Sequence, residues 1–308
     1  MSQKNIAISL GVTLAALALA ACGGGHRDNA PGSASGAGAA GSAETPRGGT
    51  LTVKGSDTMV ILGQRWAERY MQKHPGTTVQ VSGGGSGTGI AALLNGTTDI
   101  ANASRPLKDS ERTQLAARGH GAAVETHVAL DALAVYVNEQ NPLTRIDVAQ
   151  LGRVFKGEIT NWRELGGPDR PIVLYSRENN SGTYAYFKEH VLENADFAQA
   201  AQTLPGTAAV INAVSHDPNG IGYGGIAYGS GVKHIALGPA DGEAVEATME
   251  NAVSGRYPLS RFLNMITAGA PSGLERDYID WIRSPEGQQL VESVGYYPLP
   301  HEGARAQR

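Results

Sequence analysis

Residues 51–70 read Leu51-Thr52-Val53-Lys54-Gly55-Ser56-Asp57-Thr58-Met59-Val60-Ile61-Leu62-Gly63-Gln64-Arg65-Trp66-Ala67-Glu68-Arg69-Tyr70, and they hold a strand, a turn and a helix in one stretch. Leu51-Thr52-Val53 is a short β-type run, and Gly55-Ser56-Asp57-Thr58 has turn chemistry. Leu62, Trp66 and Tyr70 then recur at i+4, which places them on one helix face, and His74-Pro75-Gly76 ends the helix. The same grammar returns twice. A strand over 79–81 runs into Ser82-Gly83-Gly84-Gly85-Ser86-Gly87-Thr88-Gly89 and a short helix over 90–94, closed by Asn95-Gly96. A strand over 172–175 feeds Arg177-Glu178-Asn179-Asn180-Ser181-Gly182-Thr183 and a helix whose Tyr184, Phe187 and Val191 share a face. With a further strand over 132–137, the alternation predicts an α/β fold rather than a sandwich or a bundle, with no internal sequence repeat.

A chain of 308 residues, 41% of them hydrophobic, can bury a real core and is long enough for two domain-sized units. Its formal charge of -4 argues against a nucleic-acid partner, because such domains carry a basic footprint. An anion must therefore be held by a local field. The single cysteine, Cys22, excludes an internal disulfide and a cysteine zinc site. Lys4, the apolar run from Ile6 to Ala21 and Leu19-Ala20-Ala21-Cys22 together look like an export signal ending in a sequence that resembles the lipobox of bacterial lipoproteins. That likeness implies removal of residues 1–21, lipidation of Cys22, and export to a membrane face. Residues 22–48 are then the anchored cysteine and a flexible Gly/Ala/Ser linker with a mean reach of about 25–30 Å.

The chemistry is carried by helix starts. Such an end leaves its first N–H groups without intrahelical partners and carries roughly half a positive charge, so it attracts anions. Serine and threonine hydroxyls add donors that can also accept. Arg177, four residues before Ser181, and Arg105, in Asn102-Ala103-Ser104-Arg105-Pro106, could each grip two oxygens of an oxyanion; each could equally form a surface ion pair. The glycine run fits neither the GxGxxG dinucleotide fingerprint nor a P-loop, since Ile90 stands where the P-loop lysine belongs, and taken alone it also reads as a hairpin turn.

Taken as an ordered set, Gly55-Ser56-Asp57-Thr58, Gly85-Ser86-Gly87-Thr88-Gly89, Ala103-Ser104-Arg105-Pro106-Leu107 and Arg177-x3-Ser181-Gly182-Thr183 resemble the phosphate-binding proteins of high-affinity phosphate ABC transporters, the PstS family. Phe155-Lys156-Gly157-Glu158-Ile159-Thr160-Asn161-Trp162, Gly220-Ile221-Gly222-Tyr223, Tyr257-Pro258-Leu259-Ser260-Arg261 and Gly295-Tyr296-Tyr297-Pro298-Leu299 support the likeness, which spans about residues 50–300. The resemblance implies a two-lobed type II periplasmic binding protein, each lobe a sheet flanked by helices, with the ligand cleft between them. Lobe 1 would hold 49–129 plus 257–308, and lobe 2 would hold 130–256. It implies phosphate contacts from Thr58, Ser86, Arg177, Ser181, Gly182 and Thr183, no cofactor or metal, and a monomer that docks on ABC permease subunits; Asp57, Ser104 and Arg105 complete the candidate site, with Arg105 expected to add positive charge. Two positions depart from the family. Members place a carboxylate where this chain has Arg105, and commonly a hydroxyl residue where it has Asp57. Asp57 is therefore either a relocated acceptor for the proton of hydrogen phosphate or a cap on the helix that follows it.

Three other readings stand beside phosphate capture: a binder of sulfate, molybdate or tungstate; an exported phosphatase-like hydrolase; and a surface lipoprotein that keeps the fold for signalling or adhesion. A hydrolase needs a metal cluster or an activated nucleophile with a base. The eight histidines lack zinc spacing, and Gly84-Gly85-Ser86-Gly87-Thr88 breaks the Gly-x-Ser-x-Gly elbow at its last position, so the chain is not expected to be an enzyme.

Overall fold

The structure, a computed structural model, describes residues 48–118, 121–239 and 242–300. The export signal, Cys22 and the linker up to residue 47 lie outside the described residues. No helix among those described is long and apolar enough to cross a membrane.

The first half runs β1 (Gly49–Gly55), α1 (Val60–Lys73), β2 (Thr77–Ser82), α2 (Ser86–Leu94), β3 (Ile100–Ala103), α3 (Asp109–Ala116) and the long β4 (Val124–Val137). The middle adds β5 (Arg145–Asp147), α4 (Val148–Phe155), β6 (Val173–Arg177), α5 (Gly182–His190), β7 (Gln202–Leu204), α6 (Gly206–His216), β8 (Gly220–Gly225), β9 (Lys233–Gly238) and α7 (Met249–Val253). The chain returns through β10 (Ser260–Thr267) and closes with α8 (Gly273–Arg283) and α9 (Pro285–Val294).

Strand order is β2-β1-β3-β10-β4-β8-β6-β7, with β9 also paired to β4 and β5 to β9. Parallel pairs, β1 with β2 and β3 on one side and β6 with β7 and β8 on the other, are joined through the antiparallel strands β4 and β10. Strand β4 changes partner along its length: Ala132 faces Ser260 of β10, and the next residue, Leu133, faces Gly225 of β8. From Val128 to Val137 every residue of β4 is buried, and apart from Asp131 it reads as a continuous apolar run rather than an alternating one.

Two large cores lie on either side of this switch. One gathers Leu51, Val53, Leu62, Trp66, Tyr70, Ile279 and Val291; the other gathers Leu133, Val135, Phe155, Trp162, Phe187, Ile221 and Tyr223. The i+4 face of α1 is buried as its spacing predicts, and Trp66 Nε1 donates to Gly287 O at 2.9 Å, which satisfies its one polar atom inside the core. The architecture is mixed α/β, with two cores joined through β4 and β10.

Three elements differ from the sequence reading. Helix α2 starts at Ser86, four residues before Ile90, so the second half of the glycine run is helix rather than loop. The apolar turn before Arg105 is a fully buried strand, β3. Strand β4 extends eight residues ahead of Ala132, because β10 pairs with that earlier part over a long register that local periodicity does not reveal.

Candidate functional site

The ends of β1, β3 and β6 and the starts of α2 and α5 meet at one place. After β1, Gly55 takes φ 146, and a Cβ there would stand 2.2 Å from Asn102 O; only glycine lets β1 close on β3 at this point. The chain then makes a tight 3-10 turn over Asp57–Met59, and it is fastened from outside: Tyr228 Oη donates to Asp57 O at 2.7 Å and Tyr296 Oη to Thr58 O at 2.6 Å. Burial pushes the Tyr228 hydroxyl up to about 12, so it remains a donor across the ordinary pH range.

Four hydroxyls sit together. Thr58 Oγ1 and Thr183 Oγ1 are 2.8 Å apart, Ser104 Oγ and Thr183 Oγ1 3.5 Å, and Ser86 Oγ and Ser104 Oγ 3.4 Å, and all four residues are buried. Gly182 lies against them, since a Cβ there would meet Ser86 Oγ at 2.3 Å and Ser104 Oγ at 2.7 Å. At α5, Ser181 is the N-cap: its Oγ accepts from Tyr184 N, and its carbonyl from Ala185 N. The cap therefore leaves the N–H groups of Gly182 and Thr183 to other partners.

Arg177, only 1% exposed, ends β6 beside this cluster. It donates through one terminal nitrogen to Thr207 Oγ1 and through the other to Asp57 Oδ2, both at 2.8 Å, while Nε is buried and has no partner. Burial pulls its guanidinium down, and the Asp57 carboxylate pushes back up. Asp57 does not cap the helix that follows it. Its second oxygen accepts instead from Gly84 N at 2.8 Å, so it links the first turn to the glycine run and to Arg177.

Arg105 stands apart from the others. Its two terminal nitrogens donate to the two oxygens of Glu111 at 2.8 Å each, and one also to Pro106 O. Burial raises the Glu111 carboxyl, but the Arg105 guanidinium and the Lys108 N–H outweigh that and hold it below its ordinary value. The ion pair weighed against a ligand role for this arginine is what the structure contains; the expectation that Arg105 adds free positive charge gives way to a charge clamped by the helix α3 it precedes.

Arg261 is the arginine to which the sequence reading assigned no role. It pairs with Asp131 directly across β10 and β4, donating through Nε and Nη2 to Asp131 Oδ2 at 2.9 and 2.8 Å. Asp131 Oδ1 accepts from Ile226 N. The remaining donors of Arg261 reach Ser104 O and Thr183 Oγ1, both at 3.0 Å, so the pair holds two members of the hydroxyl cluster. The signal was present as single charges inside apolar runs, Val128-Ala129-Leu130-Asp131-Ala132-Leu133 and Leu259-Ser260-Arg261-Phe262-Leu263, where a charge stays buried only when paired.

Each of the three arginines is thus matched by one carboxylate, and what the site offers an anion is oriented dipoles. Two helix starts, four hydroxyls that can donate, and the unpartnered Nε of Arg177 make a cage suited to a small oxyanion. Among the described residues no group of three or more His, Cys, Asp or Glu side chains is placed to hold a metal ion.

Comparison with known proteins gives the family. A profile described as a PBP superfamily domain matches residues 40–286. The chain is 37% identical over 270 residues to the phosphate-binding protein PstS of Pseudomonas aeruginosa PAO1, covering 82% of this chain and 84% of that one. The chain belongs to the PstS family. It is also 32% identical to PstS of Bacillus subtilis 168, with 83% of each chain covered. Among solved structures, a candidate phosphate ABC transporter substrate-binding protein from Clostridium perfringens, determined with bound phosphate, superposes with a TM-score of 0.74 at 29% identity, covering 82% of this chain and all of that one. An ABC-type phosphate transport receptor from Vibrio cholerae gives 0.66 at 30% identity, with 81% and 100% covered. The PstS resemblance and the type II fold expected from the sequence are both borne out.

Proposed function

We propose that this chain captures inorganic phosphate outside the cytoplasm and passes it to the permease subunits of an ABC importer, held near the membrane by a lipid on Cys22. The observation that carries the reading is Arg177, almost wholly buried with Nε unpartnered, beside the start of α5 and the hydroxyls of Thr58, Ser86, Ser104 and Thr183. A buried guanidinium nitrogen with no acceptor is costly unless a ligand supplies one. A tetrahedral anion meeting it would receive charge-assisted bonds from Arg177 together with the Gly182 and Thr183 N–H groups. Family membership and the phosphate-bound relative support phosphate as that anion.

In this reading, residues 49–129 with 257–308 and residues 130–256 are two lobes that close on the ligand, with Asp57, Thr58, Ser86 and Ser104 on one and Arg177, Ser181, Gly182 and Thr183 on the other. The ligand drives closure because only the closed state offers it both halves of the cage. Asp57, already bonded to Gly84 N and Arg177, keeps lone pairs that can accept the proton of hydrogen phosphate; sulfate has no proton to give. Arg105, clamped by Glu111, acts at a distance by fixing the loop that carries Ser104. Capture rather than hydrolysis is favoured because none of the hydrogen bonds described for the four hydroxyls goes to a histidine or carboxylate base.

The test is calorimetric titration of protein refolded free of ligand. Phosphate is expected to bind one to one, and excess sulfate or molybdate to leave the phosphate isotherm unchanged. Absence of phosphate heat, or equal binding of sulfate, would replace this reading with capture of another oxyanion or with a non-transport role.

A further inference from the structure

Beside the hydroxyl cluster, and sharing no hydrogen bond with it, the loop before α5 grips the loop before α2. Asn180 Nδ2 donates to Gly84 O at 3.0 Å and to Thr88 Oγ1 at 3.1 Å, and Asn180 O accepts from Gly87 N at 2.9 Å. The last bond is a helix cap supplied from a distance. Helix α2 has Gly85 at its N-cap position, with no side-chain cap of its own, and Gly87 N is among its first N–H groups; the acceptor it lacks locally comes from a residue 93 positions further along the chain.

The glycine run is shaped for this contact. A Cβ on Gly85 would stand 2.7 Å from Asn180 O and 3.2 Å from its Cγ, and one on Gly87 would stand 3.2 Å from Asn180 O. Gly85 also holds φ 88, in the left-handed region. The alternating glycines therefore make room for Asn180 as well as for an anion.

We propose that Asn180 is an interlobe clasp that positions the start of α2, and with it Ser86, against the start of α5, and that it sets how long a captured ligand is held. The holding-time part rests on the phosphate reading above and the word interlobe on its two lobes; the contact between the two loops rests on neither. Bonds made only when the two loops meet lower the rate of escape more than the rate of entry, because entry precedes their formation. The amide orientation is fixed by its neighbours, since Gly84 O can only accept and so must face the NH₂ group.

The test uses Asn180→Ala, which removes the side-chain bonds and keeps the backbone cap, and Gly85→Ala, which crowds the seam. Phosphate dissociation followed by stopped-flow is expected to quicken about fivefold to tenfold in Asn180→Ala, as two modest hydrogen bonds would give, with association within twofold of wild type. Dissociation within twofold of wild type overturns the proposal. Amide exchange over residues 84–88, followed without and with phosphate, reads the clasp directly: faster exchange in both variants in either condition supports it, and unchanged exchange in Asn180→Ala in both conditions overturns it. A wild-type chain that gives no phosphate binding defeats the phosphate reading alone, and the exchange measurement still decides the clasp.

Discussion

Replacing Arg177 with methionine is expected to weaken phosphate binding by about 10²–10³-fold while leaving the chain folded, the range that loss of one partner from a buried charged contact gives. Methionine fills much of the volume of the arginine stem, so the lost part is the guanidinium and its bonds. The fold tolerates this loss because of where the partners sit. Asp57 has a side chain 18% exposed and a second bond from Gly84 N, so its carboxylate can turn to water instead of being stranded. Thr207 loses one donor, and its hydroxyl can rotate. The ligand has no such recourse, since Nε of Arg177 is the one buried arginine nitrogen among the described residues with no partner in the protein. Lysine in its place is expected to restore little, because a point charge lacks the planar fork. Titration of wild type, Arg177→Met and Arg177→Lys checks this; an affinity within threefold of wild type in the methionine variant would remove Arg177 from the site.

The second large effect is on stability. Asp131→Ala strands the Arg261 guanidinium, whose side chain is 2% exposed, next to a carboxylate that is gone, and a broken buried pair of this kind costs about 3–5 kcal/mol. For a domain of this size that is a fall in melting temperature of roughly 6–20 °C. Removing both charges together, as Asp131→Leu with Arg261→Met, is expected to recover most of the loss, because apolar groups of similar volume avoid the desolvation cost altogether. The same double variant is expected to bind phosphate poorly, since Arg261 also holds Ser104 O and Thr183 Oγ1 in place. Thermal melts and titrations on the single and double variants separate the two roles. A double variant that is stable and binds normally would make the pair a structural feature with no part in the site.

The opposition of these two arginines explains what could be read from the sequence and what could not. The strand–turn–helix units were legible because their signals are local: the i+4 apolar face of α1, the turn residues Gly55-Ser56-Asp57-Thr58, and the β-type run before Arg177. Thr58, Ser86, Ser104, Arg177, Gly182 and Thr183 come together as the ordered motifs suggested. Arg105 and Arg261 were not legible in this way. Both are arginines near motif residues, and spacing does not say which carboxylate each will meet. Glu111 takes the first from within the next helix, and Asp131 takes the second through a strand register set by β4 and β10 pairing over 130 positions. The glycine run shows a different limit. Three of its glycines admit other parts of the protein: Asn180 at Gly85 and Gly87, and Lys54 O at Gly89, where a Cβ would stand 2.3 Å away. Close approach of backbone is visible in composition; what approaches is not.

One oxyanion is expected where α2 and α5 begin. A crystal structure of the chain with arsenate, a tetrahedral analogue whose arsenic scatters anomalously, locates that ion directly. A single anomalous peak is expected, bounded by Arg177, the backbone of Gly182 and Thr183, and the hydroxyls of Thr58, Ser86 and Ser104. A peak on any other surface, or none in a chain shown to bind arsenate in solution, would contradict it.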